Sequence, residues 1–309
     1  MRGLDRAQLR ALSQRSDARG LLQLAMHAGL LVLTGALVHE ARGSAWLVAA
    51  MLLEGIVLVF LFCAMHEAAH RTAFATRAVN DALAWACGLL LVLPPEYFRL
   101  YHFAHHRYTQ DPARDPELSL APARRLRTYL WRISGLPNWI SRLKVTLGHA
   151  LTGTVGEDFV PALKRAAVVR EARVFWGIYL AVFLLSCLLR RTDALFYWVI
   201  PALLGQPFLR LYLMGEHAGC ALSNDVYENT RTTRTHVAVR LLAWQMPYHV
   251  EHHAFPSVPF HALPRVHALV RERLRACSPG YLALHRQLIA ELLGRRAAPV
   301  APAVAREPR

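Results

Sequence analysis

Long apolar runs separated by Arg-rich segments constrain this 309-residue chain more than any other feature. A helix that crosses a bilayer needs about 20 predominantly apolar residues. Four runs approach that length: about 21–39, 45–65, 174–189 and 194–213. The third is short, so Arg173 and Arg190 at its ends would have to snorkel. The fourth carries Pro201, Gly205 and Pro207, which predicts a kink. A fifth run, 82–93, stops at Pro94-Pro95 after about a dozen residues, too few to cross. It reads as re-entrant or interfacial. Composition agrees, with 54% hydrophobic and only 18% charged residues.

These runs predict an all-α integral membrane protein of two helical hairpins, four transmembrane helices in all. A short re-entrant helix and a cytoplasmic helical cap complete it. Three parts are expected: a basic N-terminus over 1–20, a membrane domain over 21–275, and a C-terminal helix with a disordered Ala/Pro/Arg tail over 276–309. Residues 95–173 hold eleven Arg and two Lys, whereas the 40–44 turn holds one Arg, so the large loops and both termini belong in the cytoplasm. The two Arg of the 190–193 turn dissent mildly. The net charge of +15 is read as positive-inside loops, not as a nucleic-acid surface, because no basic stripe with interleaved aromatics occurs. The five cysteines form no C-x-x-C, so neither a disulfide framework nor a zinc knuckle is indicated. Residues 1–20 do not read as a cleavable signal peptide.

Sixteen histidines occur, and nine fall into a pattern. His66-Glu-Ala-Ala-His70 comes first, then His102-Phe-Ala-His105-His106, then His217, then His249-Val-Glu-His252-His253. Two H-x-x-H-H copies would arise by accident on the order of once in a thousand such chains, so the pattern is specific. Residues three and four apart share a helix face, with Cβ atoms about 5–6 Å apart. Each cluster can therefore aim two or three imidazoles at one metal, and three such faces can enclose two. Imidazole suits iron, zinc, copper and nickel alike, so ligand type leaves the metal open. If 82–93 does not cross, all nine histidines converge at one membrane face; had it crossed, the first cluster would be stranded on the other side. Glu67, Asp111, Asp115, Glu216, Glu251 and Asn229 are candidates to support the ligands from behind. Pro247 is placed to open the last helix, and Pro256 and Pro259 to end it. The other seven histidines read as capping or interfacial residues. Glu54 reads as a neutral, hydrogen-bonded carboxyl packed against another span, not as a ligand.

The three clusters resemble the histidine boxes of the membrane fatty acid desaturase and hydroxylase superfamily, over roughly residues 20–275. Asn229-Thr-Arg-Thr-Thr-Arg-Thr235 and Pro247-Tyr-His-Val-Glu-His-His-Ala-Phe-Pro256 resemble its bacterial branch, which includes desaturases, carotenoid ketolases and rhizopine-type hydrocarbon oxygenases. The resemblance implies a non-haem di-iron centre on the cytoplasmic side of a bacterial inner membrane, held by the nine histidines. It implies O2 as co-substrate, a separate electron donor (ferredoxin or rubredoxin with its reductase), and an apolar acyl or hydrocarbon substrate drawn from the membrane lipid. Fatty acyl desaturation is the leading expectation, with hydroxylation or ketolation of a hydrocarbon or carotenoid-like substrate as the alternative at the same site. A non-enzymatic metal-binding or transporting membrane protein is the rival from another class; transporters place ligands near the bilayer midplane, whereas these lie at span ends. In animal stearoyl desaturases an Asn precedes the extra histidine by one turn; Leu213 stands there in this chain.

Overall fold

A computed structural model describes residues 4–119, 123 and 125–294. The expected tail from Arg295 onward lies outside the described residues.

The chain opens with α1 (Arg6–Leu12), closed at its N-terminus by a reciprocal Asp5–Gln8 capping box. Ser16 caps α2 (Asp17–Glu40). α3 (Leu47–Val59) and α4 (Leu61–Ala69) continue one another across Phe60 as a 23-residue apolar stretch. α5 (Arg77–Leu91) and α6 (Pro95–Tyr108) meet at 97°. α7 (Leu126–Ile133) and α8 (Leu136–Thr152) lead into α9 (Ala162–Leu188). A π-wound turn, Leu195–Val199, precedes α10 (Ile200–His217). The remainder is short: α11 (Val226–Asn229), β1 (Thr232–Thr233), α12 (Val237–Leu242), α13 (His249–Ala254), α14 (Leu263–Val270), β2 (Cys277–Ser278) and α15 (Tyr281–Leu292). β1 and β2 pair in parallel, with Thr232 opposite Cys277.

Among the described residues three helices are long and apolar enough to cross a membrane: α2, α3–α4 and α9. α9 begins at Ala162, not near residue 174, so the predicted shortness of the third span does not arise. The expected fourth span, 194–213, falls on the π-wound turn and α10; α10 taken alone, Ile200–His217, is not among the three, its hydropathy lowered by Gln206, Arg210, Glu216 and His217. The bent α5–α6 pair would be a further crossing only if read as one broken span. Burial orders the helices. α3–α4 is central, with 61% of its apolar stretch buried, against 11% for α9. Leu22 and Val32 of α2 and Phe183 and Leu188 of α9 point outward, the pattern of a lipid-facing surface.

Close backbone approach joins α3 to α10. A Cβ on Gly55 would lie 2.0 Å from the carbonyl oxygen of Pro201, and one on Gly205 would lie 2.1 Å from that of Gly55. Only glycine fits at either place, as in small-residue packing between membrane helices. α2 is tied in by polar contacts. Thr34 donates a short hydrogen bond to Glu54, which is thus a bonded carboxyl between two helices, as expected. Buried His27 links the Val57 carbonyl at 2.9 Å to the Trp244 indole at 3.2 Å.

The α5–α6 corner explains how a helix ends inside the protein. Its last carbonyls need partners wherever water is absent. Three side chains supply them: Tyr179 to Leu89 (2.8 Å), Trp198 to Leu90 (2.7 Å) and Arg142 to Leu91 (2.9 Å). Val92 takes a left-handed conformation (φ 53°), rare for a β-branched residue. Pro95 then starts α6, where its missing N–H costs nothing.

Candidate metal centre

α4, α6, α10 and α13 each deliver histidines to one place. His66 lies in the last turn of α4 and His70 caps it. His102, His105 and His106 line one face of α6. His217 is the last residue of α10, and α13 carries His249, His252 and His253. α13 starts at His249 with Tyr248 as its cap, so Pro247 lies two residues before the helix instead of in its first turn. Phe255 closes it ahead of Pro256.

The nine imidazoles divide into two groups. His66, His70, His102, His106 and His252 each offer a nitrogen within 4.8 Å of the others. His105, His217 and His253 do the same, and His249 joins them through His217, Nε2 to Nε2 at 3.2 Å. Other facing Nε2 pairs are His70–His102 (2.8 Å), His102–His106 (2.9 Å), His106–His252 (3.2 Å) and His105–His217 (3.2 Å). Two nitrogens bound at about 2.1 Å and at right angles on one ion are about 3.0 Å apart, so these spacings suit ligands converging on a cation. Both ring nitrogens of His66 and the Nε2 of His253 are buried with no hydrogen-bond partner. Such atoms are costly unless something fills the space between them. Burial, reinforced by neighbouring imidazoles, holds His249, His252 and His253 well below the usual histidine pKa. They are therefore neutral, the form that binds metal. The donor set fits metal ions.

The supporting residues differ from expectation in part. Asp115 accepts from His105 Nδ1 at 3.0 Å, and is itself fixed by the backbone N–H groups of Gln110 (2.8 Å) and Glu117 (2.9 Å). Asn229 acts through its carbonyl, 3.1 Å from His217 Nδ1, while its side chain ties to Thr109 and Ser223. Glu216 lies 3.6 Å from His249 Nδ1. The other three acids touch no box histidine. Glu67 accepts from the Phe260 N–H at 2.9 Å. Glu251 bridges Thr232 (2.6 Å) and His267 (2.5 Å), fastening α13 to β1 and α14. Asp111 pairs with Arg114 on the surface. Sequence reasoning passed over Glu117, 3.7 Å from His105 Nδ1, and Gln110, whose side chain donates to the His217 carbonyl at 2.9 Å. Both follow the second cluster within a dozen residues, a signal that would have drawn them in. It also assigned His267 to capping or interface, whereas His267 pairs with Glu251.

A cavity of about 250 Å³ opens onto the centre, touching His66, His102, His105 and His249. Its walls are mixed: Phe62, Leu93, Phe98 and Leu213 on one hand, Arg142, Arg210, Glu117 and Glu216 on the other. Leu213, in the place of the stearoyl desaturase Asn, thus lines the cavity with an apolar side chain.

Apolar helices that carry a buried cluster of histidines able to bind metal define an integral membrane protein of the histidine-box class. The profile of the family described as fatty acid desaturase matches residues 43–285, and the chain belongs to that family. Dihydrorhizobitoxine desaturase of Bradyrhizobium elkanii is 26% identical over 254 residues, 75% of this chain and 68% of that protein. The sphingolipid delta(4)-desaturase/C4-monooxygenase DES2 of Rattus norvegicus is 27% identical over 251 residues, again 75% and 68%. The delta(12) fatty acid desaturase of Mortierella isabellina is 27% identical over 110 residues, 33% of this chain and 27% of that protein. The desaturase relatives imply an oxidoreductase acting on lipid-like substrates.

Proposed function

We propose that the chain is an O2-dependent di-iron oxidase of an aliphatic, lipid-like substrate, with desaturation of an acyl or acyl-like chain as its main outcome. The single observation that carries this reading is the convergence of nine box histidines into two adjoining groups at the wall of a cavity. His66, His70, His102, His106 and His252 would hold one iron, and His105, His217, His249 and His253 the other. When bound, the two irons supply the electron transfer to O2 and the hydrogen abstraction that unactivated carbon requires; zinc, without redox chemistry, supplies neither. Overall, one O2 takes two electrons from the substrate's adjacent carbons and two from an external donor, and leaves as two waters. Asp115 and the Asn229 carbonyl hold His105 and His217 in one tautomer, their inner nitrogens free to bind. Phe62, Phe98 and Leu213 exclude water beside the reacting carbons.

With α10 as the return crossing after α9, the re-entrant reading of α5–α6 puts every box histidine at one membrane face, taken here as the cytoplasmic side of a bacterial inner membrane. A separate ferredoxin or rubredoxin would dock there, attracted by the positive loops. Hydroxylation is the second reading, favoured by a relative whose name joins desaturase to monooxygenase. The test is metal analysis of the purified protein with mass-spectrometric profiling of a host with and without the gene. Iron near two per chain and a new unsaturated or hydroxylated product, absent with His252→Ala, are expected. Product formation by that variant would overturn the reading.

A further inference from the structure

The cavity at the metal centre contains a guanidinium with one edge that meets no hydrogen-bond acceptor. Arg210 lies on α10 and lines the cavity; its Nε and Nη2 are buried and meet no acceptor. These two nitrogens form the edge of the guanidinium that takes a carboxylate through two parallel hydrogen bonds. Leaving that edge buried and empty is costly. Two acids share the cavity, Glu117 and Glu216, and attract Arg210 through space, but neither hydrogen-bonds to its Nε–Nη2 edge. Arg142 faces the same space from α8, with one donor spent on the Leu91 carbonyl and its plane 5.5 Å from the Trp139 ring. Two cationic groups thus line a cavity whose other wall is His66, His102, His105 and His249. Arg210 precedes His217 by seven residues, about 10 Å of helical rise. At about 250 Å³ the cavity is also smaller than the roughly 300–1,000 Å³ usual for ligand sites.

We propose that the substrate is a short molecule with an oxyanion at one end, a carboxylate or a phosphate, gripped by Arg210 and Arg142 while its aliphatic part reaches the histidines. The oxidase reading is needed only to call this occupant the substrate. The oxyanion could belong to a free acid or to a phosphate ester, and the probes separate the two.

The test is calorimetric binding of octanoate, octyl phosphate and octanamide to the purified full-length protein in phosphatidylcholine nanodiscs. Octanoate or octyl phosphate should bind at least about tenfold tighter than octanamide, the scale of a hydrogen-bonded charge; the tighter of the two names the source. Arg210→Gln should reduce that preference below about threefold, and Arg210→Lys should retain part of it as a point charge without the fork. Arg142→Gln should lower it in the same direction and carries the test if Arg210→Gln does not give monodisperse protein. Equal binding of octanamide and both anions, or a preference unmoved by the Arg→Gln changes, would overturn the proposal. Turnover with iron and reductant is read separately. Anion preference without any oxidised product would sink the oxidase reading and leave this one standing; product without anion preference would do the reverse.

Discussion

The two histidine groups share α6 and α13 yet are supported in different ways. His105 and His217, in the second group, lean on a polar layer: Asp115 and the Asn229 carbonyl, with Thr109 3.3 Å from His253 Nδ1. The five-histidine group has no such layer; among the described residues none of its members bonds a carboxylate, and the Nδ1 of His252 is buried without a partner. Aromatic rings surround it instead. Phe98 stacks on His102 at 5.4 Å, Phe103 lies 5.3 Å from His70, and Phe62 6.3 Å from His66. One group is oriented by hydrogen bonds, which fix tautomer and basicity; the other is oriented by packing, which fixes position alone. The hydrogen-bonded group should therefore hold its metal more tightly, and the packed group should be the first to lose it.

On the proposed di-iron reading, the largest effects come from removing box histidines. His102→Ala and His217→Ala, one per group, should each lower product formation at least about hundredfold, because both metals serve one reaction. Iron analysis distinguishes them: each variant should retain close to one ion, from opposite groups. Retention of both ions by either variant would break the two-group division.

The next effects separate the kinds of support. Asp115→Asn should weaken metal retention by about 10–100-fold, as outer-layer changes do, with little change in thermal stability. Phe98→Ala should do the opposite, costing about 3–5 kcal/mol of stability through the cavity it opens in a buried site. Chelator titration followed by a melting curve reads both quantities. If Asp115→Asn unfolds the protein while Phe98→Ala strips its metal, the comparison is inverted.

The histidine cluster was legible in the sequence because its signal is local. Imidazoles three and four residues apart on a helix share a face whatever surrounds them, and all nine reach the centre. Asp115 was legible for a related reason, since its loop closes back on the helix it follows. Support that depends on tertiary placement was not: Glu67 and Glu251 sit beside box histidines in sequence but on other helix faces, and bond Phe260 and His267. The fold shows the same division. The apolar runs located α2 and α3–α4 closely, whereas the N-terminal turns of α9 are charged and hid its true start at Ala162. The run 194–213 marked the π-wound turn and most of α10, but not that Arg210 within it and Glu216 beyond it line the cavity, which no one-dimensional reading could place there.

The smallest predicted effect concerns what the groups have in common. Burial, with Arg99 nearby, pushes His70 down to about 3, and burial with neighbouring imidazoles holds His249, His252 and His253 well below 6.5. In the unfolded chain each would take a proton near 6.5. Below that value the unfolded state therefore binds more protons than the folded one, and stability must fall as pH falls. Metal-free protein should accordingly lose melting temperature between pH 7.5 and 5.5, from both groups at once, by several degrees. His70→Gln should reduce the slope slightly. Iron-loaded protein should show a shallower slope until the metal is displaced, and protons should displace it first from the five-histidine group, which lacks Asp115. A metal-free protein whose melting temperature is flat across that range would mean that the imidazoles are not held neutral, and the shared chemistry of the two groups would have to be abandoned.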